Sequence, residues 1–185
     1  LLQQLAAENK QNVLTAEIDH CWMAGDKLVN CKNYYDSISA IQNYYFDLAT
    51  NGFLQFIKVR DLYAPEYLRK LTAEYASYAD VRENTYMVKE ALPLIETVFD
   101  SLKIIYPNFK PFQVCFAIGA LRTGGTTTSE FILIGTELTT TGEKSKIPQR
   151  IKGIVAHEAI HTQQKYVLKP GAVVCNQLDE CLDEG

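Results

Sequence analysis

The sequence predicts a mainly helical α+β fold. A helical lobe covers residues 1–110, and a small β-sheet packs on a long helix within residues 111–185, the two forming one compact unit. Three observations predict it. Apolar residues recur every three or four positions through the first 110 residues, two short β-branched and aromatic runs follow Pro107, and Pro148 opens a last long helical pattern. At 185 residues the chain buries a core without disulfide or metal staples.

Taken in order, Leu2, Leu5, Ala6, Val13 and Ile18 have helical spacing, and Gly25, Asn30 and Asn33 interrupt it between Cys21 and Asn33. Tyr35, Ile38, Ile41, Tyr45 and Leu48 form the next stripe, with Asn51-Gly52 as its stop. A helix from Phe53 to about Tyr63 ends before Pro65, where another begins. Between Ala79 and Ile105 the rhythm returns, with Pro93 as a kink or boundary. This lobe reads as scaffold and substrate wall. Phe112–Ile118 and Phe131–Gly135 then read as strands, joined by the Gly-rich stretch Arg122–Ser129. Gly124–Thr128 is a hairpin turn or a flap over a cleft. Phe131–Gly135 is either a core strand or an edge strand able to pair with an extended peptide. A helix from Pro148 to about Tyr166 ends before Lys169-Pro170-Gly171, and Val173–Gly185 is helical again.

Composition excludes several classes of function. Hydrophobic residues make up 47% and charged residues 22%, and 18 basic against 22 acidic side chains leave a net charge of −4. No basic face or Lys/Arg run is present to neutralise phosphates, which argues against nucleic-acid binding. No apolar stretch reaches the roughly 18 residues of a membrane span. Neither a Walker-type nor a dinucleotide-type glycine pattern surrounds Gly124-Gly125. Leu1 is not preceded by a signal peptide in this chain, so the chain reads as a processed or trimmed piece. The five cysteines allow two readings: Cys21–Cys31 and Cys175–Cys181 closing short loops, or all five as free thiols. With no Cys-x-x-Cys pair, a thiolate zinc site is disfavoured.

The chemistry concentrates on the last long helix, in His157-Glu158-Ala159-Ile160-His161. Residues four apart lie one turn above each other on one helix face, so both imidazoles can reach a single Zn²⁺. Glu158 projects about 100° round the helix from His157, where it flanks the ion without binding it and can act as base towards a metal-activated water. Two of the chain's three histidines are spent here. The third, His20, beside Cys21 and Trp22, reads as structural. A catalytic zinc needs a third protein ligand, and downstream of His161 the carboxylates are Asp179, Glu180, Asp183 and Glu184. On a helix Glu180 and Glu184 face the same way, so either closes the site and the other can orient a histidine ring.

His157-Glu158-x-x-His161 with a Glu about twenty residues later resembles the gluzincin arrangement of thermolysin-like and aminopeptidase-like zinc peptidases. More narrowly, Phe116-Ala-Ile-Gly119, Thr123-Gly-Gly-Thr-Thr127, Ile132-Leu-Ile-Gly-Thr-Glu137, Ile154 to Gln164 and Glu184-Gly185 resemble an uncharacterised bacterial family of predicted zinc-dependent proteases, often lipoproteins or exported. The resemblance covers roughly residues 80–185. It implies a zincin-like core whose sheet packs on the metal-binding helix, a peptide or protein substrate, and an exported, periplasmic or cell-surface location. It also implies that the third-ligand helix continues past Gly185. The family's Glu-Gly segment maps its third ligand onto Glu184, whereas gluzincin spacing favours Glu180. Two other classes stand beside a metallopeptidase: a non-catalytic zinc-stabilised scaffold or binding lipoprotein, and a metal-dependent hydrolase of a non-peptide substrate. A retained Glu158 favours an enzyme, because a structural site has no use for a base between its ligands.

Overall fold

The structure, a computed structural model, describes residues 12–73 and 81–163. Among these the protein is α+β and mainly helical, with one four-stranded mixed sheet. The strands are β1 (Val13–Leu14), β2 (Gln113–Ala117), β3 (Gly125–Thr127) and β4 (Phe131–Gly135), in spatial order β1-β2-β4-β3. β1 and β2 run parallel, as do β2 and β4, with Cys115 opposite Leu133; β3 is antiparallel to β4, with Thr126 opposite Leu133.

The sheet decides one alternative left by the sequence and corrects one expectation. β4 lies between β2 and β3, so it is a core strand, and the edge towards the last helix belongs to β3. Gly124–Thr128 is accordingly neither a bare turn nor a flap, because its three central residues form β3. Val13–Leu14 also joins the sheet, although the helical spacing of residues 1–19 hid it. Two residues give no detectable alternation, and only pairing with Val114 and Cys115 defines them as strand.

Continuous apolar runs in β2 and β4 follow from cover on both faces. The helices are α1 (Ala16–Leu28), α2 (Tyr34–Ile41), α3 (Asn51–Arg60), α4 (Ala64–Ala73), α5 (Val88–Ile105), α6 (Thr136–Thr139) and α7 (Ile147–Gln163). α3 packs at Gly52 against Cys115, and α7 meets the other face through the Gly125–Ile134 pair, since residues adjacent along a strand point to opposite sides. Phe99 of α5 stacks on Phe112 at 4.9 Å between ring centres. One apolar cluster runs from Ile18, Tyr45 and Phe53 through Ile95 and Phe99 to Ile132, Val155 and Ala159.

Helix boundaries follow local chemistry. α1 runs through Gly25, because Ile18, Cys21, Trp22 and Ala24 bury one stripe and tertiary packing outweighs glycine's modest helix penalty. Asn33 caps α2 by accepting the Asp36 N–H at 3.0 Å, and a π-helical turn, Gln42–Phe46, follows. Asn51-Gly52 starts α3 rather than stopping the helix before it: the Thr50 N–H donates to the buried Glu17 carboxylate at 2.9 Å. The same carboxylate stands 3.4 Å from His20 Nδ1, a local helix contact consistent with a structural His20. Pro93 sits inside α5, whose stripe Ala91, Ile95, Val98, Phe99 and Leu102 carries the helix across the lost hydrogen bond. Cys21, Cys31 and Cys115 are free thiols, so no Cys21–Cys31 bridge closes that loop. Burial pushes the Cys21 and Cys115 thiols well above their ordinary pKa. The expected helices of residues 1–11 and Val173–Gly185, the end of a helix at Tyr166 and the Cys175–Cys181 pair lie outside the described residues.

Candidate metal centre

α7 is built by its buried line Ile147, Ile151, Val155 and Ala159, one residue per turn against the sheet and α5. His157 and His161 follow Val155 and Ala159 by two positions, about 200° round the helix, and so fall on the side away from that buried line. His157 is exposed, and Glu158 and His161 are half-buried. Both ends of α7 are tied down. Near the start, Arg150 donates to the main-chain oxygen of Thr141. At the end, Gln163 Oε1 accepts the Lys110 N–H at 2.8 Å and Gln163 Nε2 donates to the Lys110 carbonyl at 3.0 Å.

The rings of His157 and His161 converge. Their Nε2 atoms stand 3.3 Å apart, with ring centres separated by 4.9 Å and planes crossing at 81°. Two ligand nitrogens at about 2.0–2.1 Å from one tetrahedral zinc are separated by about 3.3–3.4 Å. The observed separation matches that of two zinc ligands, and it also lies within hydrogen-bond range of one ring for the other.

Glu158 turns from this pair towards the sheet edge. A Cβ placed on Gly125 of β3 would lie 2.5 Å from Glu158 Oε1, 3.0 Å from its carboxyl carbon and 3.1 Å from Cγ, so the carboxylate rests on the bare main chain of that strand. Position 125 is fixed in turn. Thr123 donates its hydroxyl to the Gly125 carbonyl at 2.6 Å, Arg60 donates to Thr123 Oγ1 at 3.3 Å, and Gly135 N–H bonds to Gly124 O at 3.1 Å.

Upstream, the connection from β2 to β3 turns through two non-glycine residues of positive φ, Ala120 (52°) and Leu121 (59°). The buried Glu137 carboxylate accepts the N–H groups of Gly119 at 2.9 Å and Leu121 at 2.8 Å, and so holds that turn. Burial raises the Glu137 pKa, against the opposing pull of these two donors.

His157, Glu158 and His161 thus share one stretch of α7, as their spacing predicts, and the rings meet. Glu180 and Glu184 lie outside the described residues, and among the described residues no group of three or more His, Cys, Asp or Glu side chains converges. Gly125, Glu137 and Gln163 were not singled out as site residues by the sequence. Gly124-Gly125 was a visible signal, but a glycine pair reads first as a turn, and neither Glu137 nor Gln163 carries a mark of its long-range partner. No family model, curated protein or solved structure matches this chain.

Proposed function

We infer that this chain is a zinc-dependent metallopeptidase of gluzincin type. His157 and His161 supply two ligands, Glu184 supplies the third with Glu180 as the alternative, and Glu158 is the general base. The observation that carries this reading is the 3.3 Å separation of the two Nε2 atoms, with a carboxylate one residue along that does not join them. Zinc bound there would act as a Lewis acid, lowering the pKa of water towards about 7 and polarising a substrate carbonyl.

The chain's own residues supply the rest. Glu158 takes a proton from water onto a carboxylate oxygen and later delivers it to the departing amine. The zincin-like character of the core is part of the same proposal and is supported by the sheet edge beside α7. In the β3–β4 ladder, Gly124 O and Thr128 N bond inward to β4, so by alternation the main-chain groups of Gly125 and Thr127 point outward. An extended peptide laid along β3 would meet the Thr127 groups and the Gly125 N–H in the strand-addition mode, the Gly125 carbonyl already accepting the Thr123 hydroxyl. The resemblance carries an exported or cell-surface location with it. Among the described residues no helix is long and apolar enough to cross a membrane.

Zinc content of the intact protein, followed by digestion of a mixed peptide library by it and by Glu158→Gln, tests the reading. Bound zinc with cleavage that disappears in the variant supports it. Bound zinc without Glu158-dependent cleavage places a zinc-stabilised scaffold ahead, and Glu158-dependent loss of another bond favours a hydrolase of non-peptide substrates.

A further inference from the structure

Glycines in short strands are costly: they surrender more backbone freedom than any other residue and contribute no side chain to packing. Gly125 lies in a three-residue edge strand, so a compensating use is expected at that position. The strand does not need left-handed backbone there, because among the described residues the positive-φ positions are Asp61, Ala120, Leu121 and Gly142. What the position provides is clearance. The three atoms nearest to an added Cβ all belong to Glu158, and the closest approach, 2.5 Å, is about 0.9 Å short of ordinary contact at 3.4 Å.

We propose that Gly125 is the positioning residue for Glu158, an open seat on β3 that sets where the carboxylate stands relative to the two histidines. This rests on the metallopeptidase reading for its catalytic consequence and on coordinates alone for the seat itself. The backbone half of the seat is rigid, since the Arg60–Thr123–Gly125 relay and the Gly135–Gly124 bond hold the strand from two sides. The Glu158 half is side chain, from Cγ to Oε1, which has torsions of its own to turn about. An added methyl group therefore displaces the carboxylate and leaves the strand in place. The imidazoles, on their own stripe of α7, keep their positions.

This separation makes the proposal testable. Alanine at position 125 obliges the carboxylate to retreat by about 0.9 Å, and a misplacement of about 1 Å in a reacting group costs up to about a hundredfold in rate. Alanine at position 158 ends at Cβ and lacks all three atoms that the methyl group would meet. In the zinc-loaded full chain, Gly125→Ala is expected to leave zinc stoichiometry and KM unchanged and to lower kcat at least about tenfold. In the Glu158→Ala background, where those atoms are gone, the same substitution should change the residual kcat less than about twofold. A structural role alone would give the same factor in both backgrounds.

Nuclear Overhauser contacts between the Gly125 α-protons and the Glu158 γ-protons supply a readout independent of turnover. Their presence supports the seat, and their absence overturns it, as does an equal kcat loss in both backgrounds. If the contacts are present and the wild-type protein cleaves no peptide, the metallopeptidase reading fails while the seat stands.

Discussion

Replacing Glu137 by alanine tests how the frame of the site is held, and the structure sets the magnitude. Its buried carboxylate is the acceptor for the Gly119 and Leu121 N–H groups, at 2.9 and 2.8 Å; Gly119 precedes the positive-φ turn leading to β3 and Leu121 is its second residue. Leaving a buried donor unsatisfied costs about 1–3 kcal/mol, so two cost roughly 2–6 kcal/mol, a large share of the stability of about 5–15 kcal/mol typical of such domains. For a chain of this size each kcal/mol moves the thermal midpoint by about 2–4 °C. Urea unfolding followed by far-UV circular dichroism measures the loss. Glu137→Gln keeps one oxygen able to accept both donors, and its loss at neutral pH should stay below about 2 kcal/mol. The comparison also has a pH signature. Burial raises the Glu137 pKa in the folded chain, so the folded state holds this proton more tightly than the unfolded state does. Its stabilising contribution is complete below the unfolded-state pKa and is lost as pH rises through the folded value. The stability of the wild type relative to Glu137→Gln should therefore decline as pH rises from the unfolded-state carboxyl pKa, about 4.3, through the raised folded value. A loss below about 1 kcal/mol for alanine, or a difference that grows with pH, would refute this account of the turn.

Other outcomes follow from the same coordinates. Gly135→Ala places a methyl group on the Thr123 carbonyl oxygen, a main-chain atom that cannot swing away, and should destabilise by more than about 3 kcal/mol in the same unfolding assay. Tyr45→Phe removes a buried hydroxyl that donates to the Ile118 carbonyl at 2.7 Å and accepts its N–H at 3.0 Å, and should cost about 1–2 kcal/mol by urea unfolding. Glu158→Gln should keep zinc, measured by atomic absorption, while reducing peptide cleavage by about a hundredfold or more. Gln163→Ala frees the end of α7 from Lys110 and should accelerate amide exchange over the last turn of that helix, with a midpoint change of a few degrees at most.

Local periodicity made much of this molecule legible. The stripe Ile147, Ile151, Val155 and Ala159 is visible as sequence spacing, and it alone implies that residues two positions on fall on the opposite side of the helix. The convergence of His157 and His161 follows from the same arithmetic. What stayed hidden depends on long-range pairing. Val13–Leu14 becomes a strand only because β2 lies beside it, and Gly124–Thr128 looks like a turn until the 3.1 Å bond from Gly135 to Gly124 marks it as the edge of the sheet. Glu17 and Glu137 carry no sequence mark of burial, yet both are buried and accept main-chain N–H groups from residues 33 and 18 positions away. Such partners leave no local pattern. The end of α1 was misplaced for a related reason, since Gly25 is a helix breaker by propensity and Trp22 and Ala24 are anchored by tertiary contacts.

X-ray absorption at the zinc edge of the intact protein tests the central claim most directly. One zinc per chain with two imidazole nitrogens at about 2.0–2.1 Å, lost when both His157 and His161 are replaced by alanine, is the predicted result. A spectrum without imidazole scattering, or one unchanged by the double substitution, would contradict the assignment of those two rings as ligands.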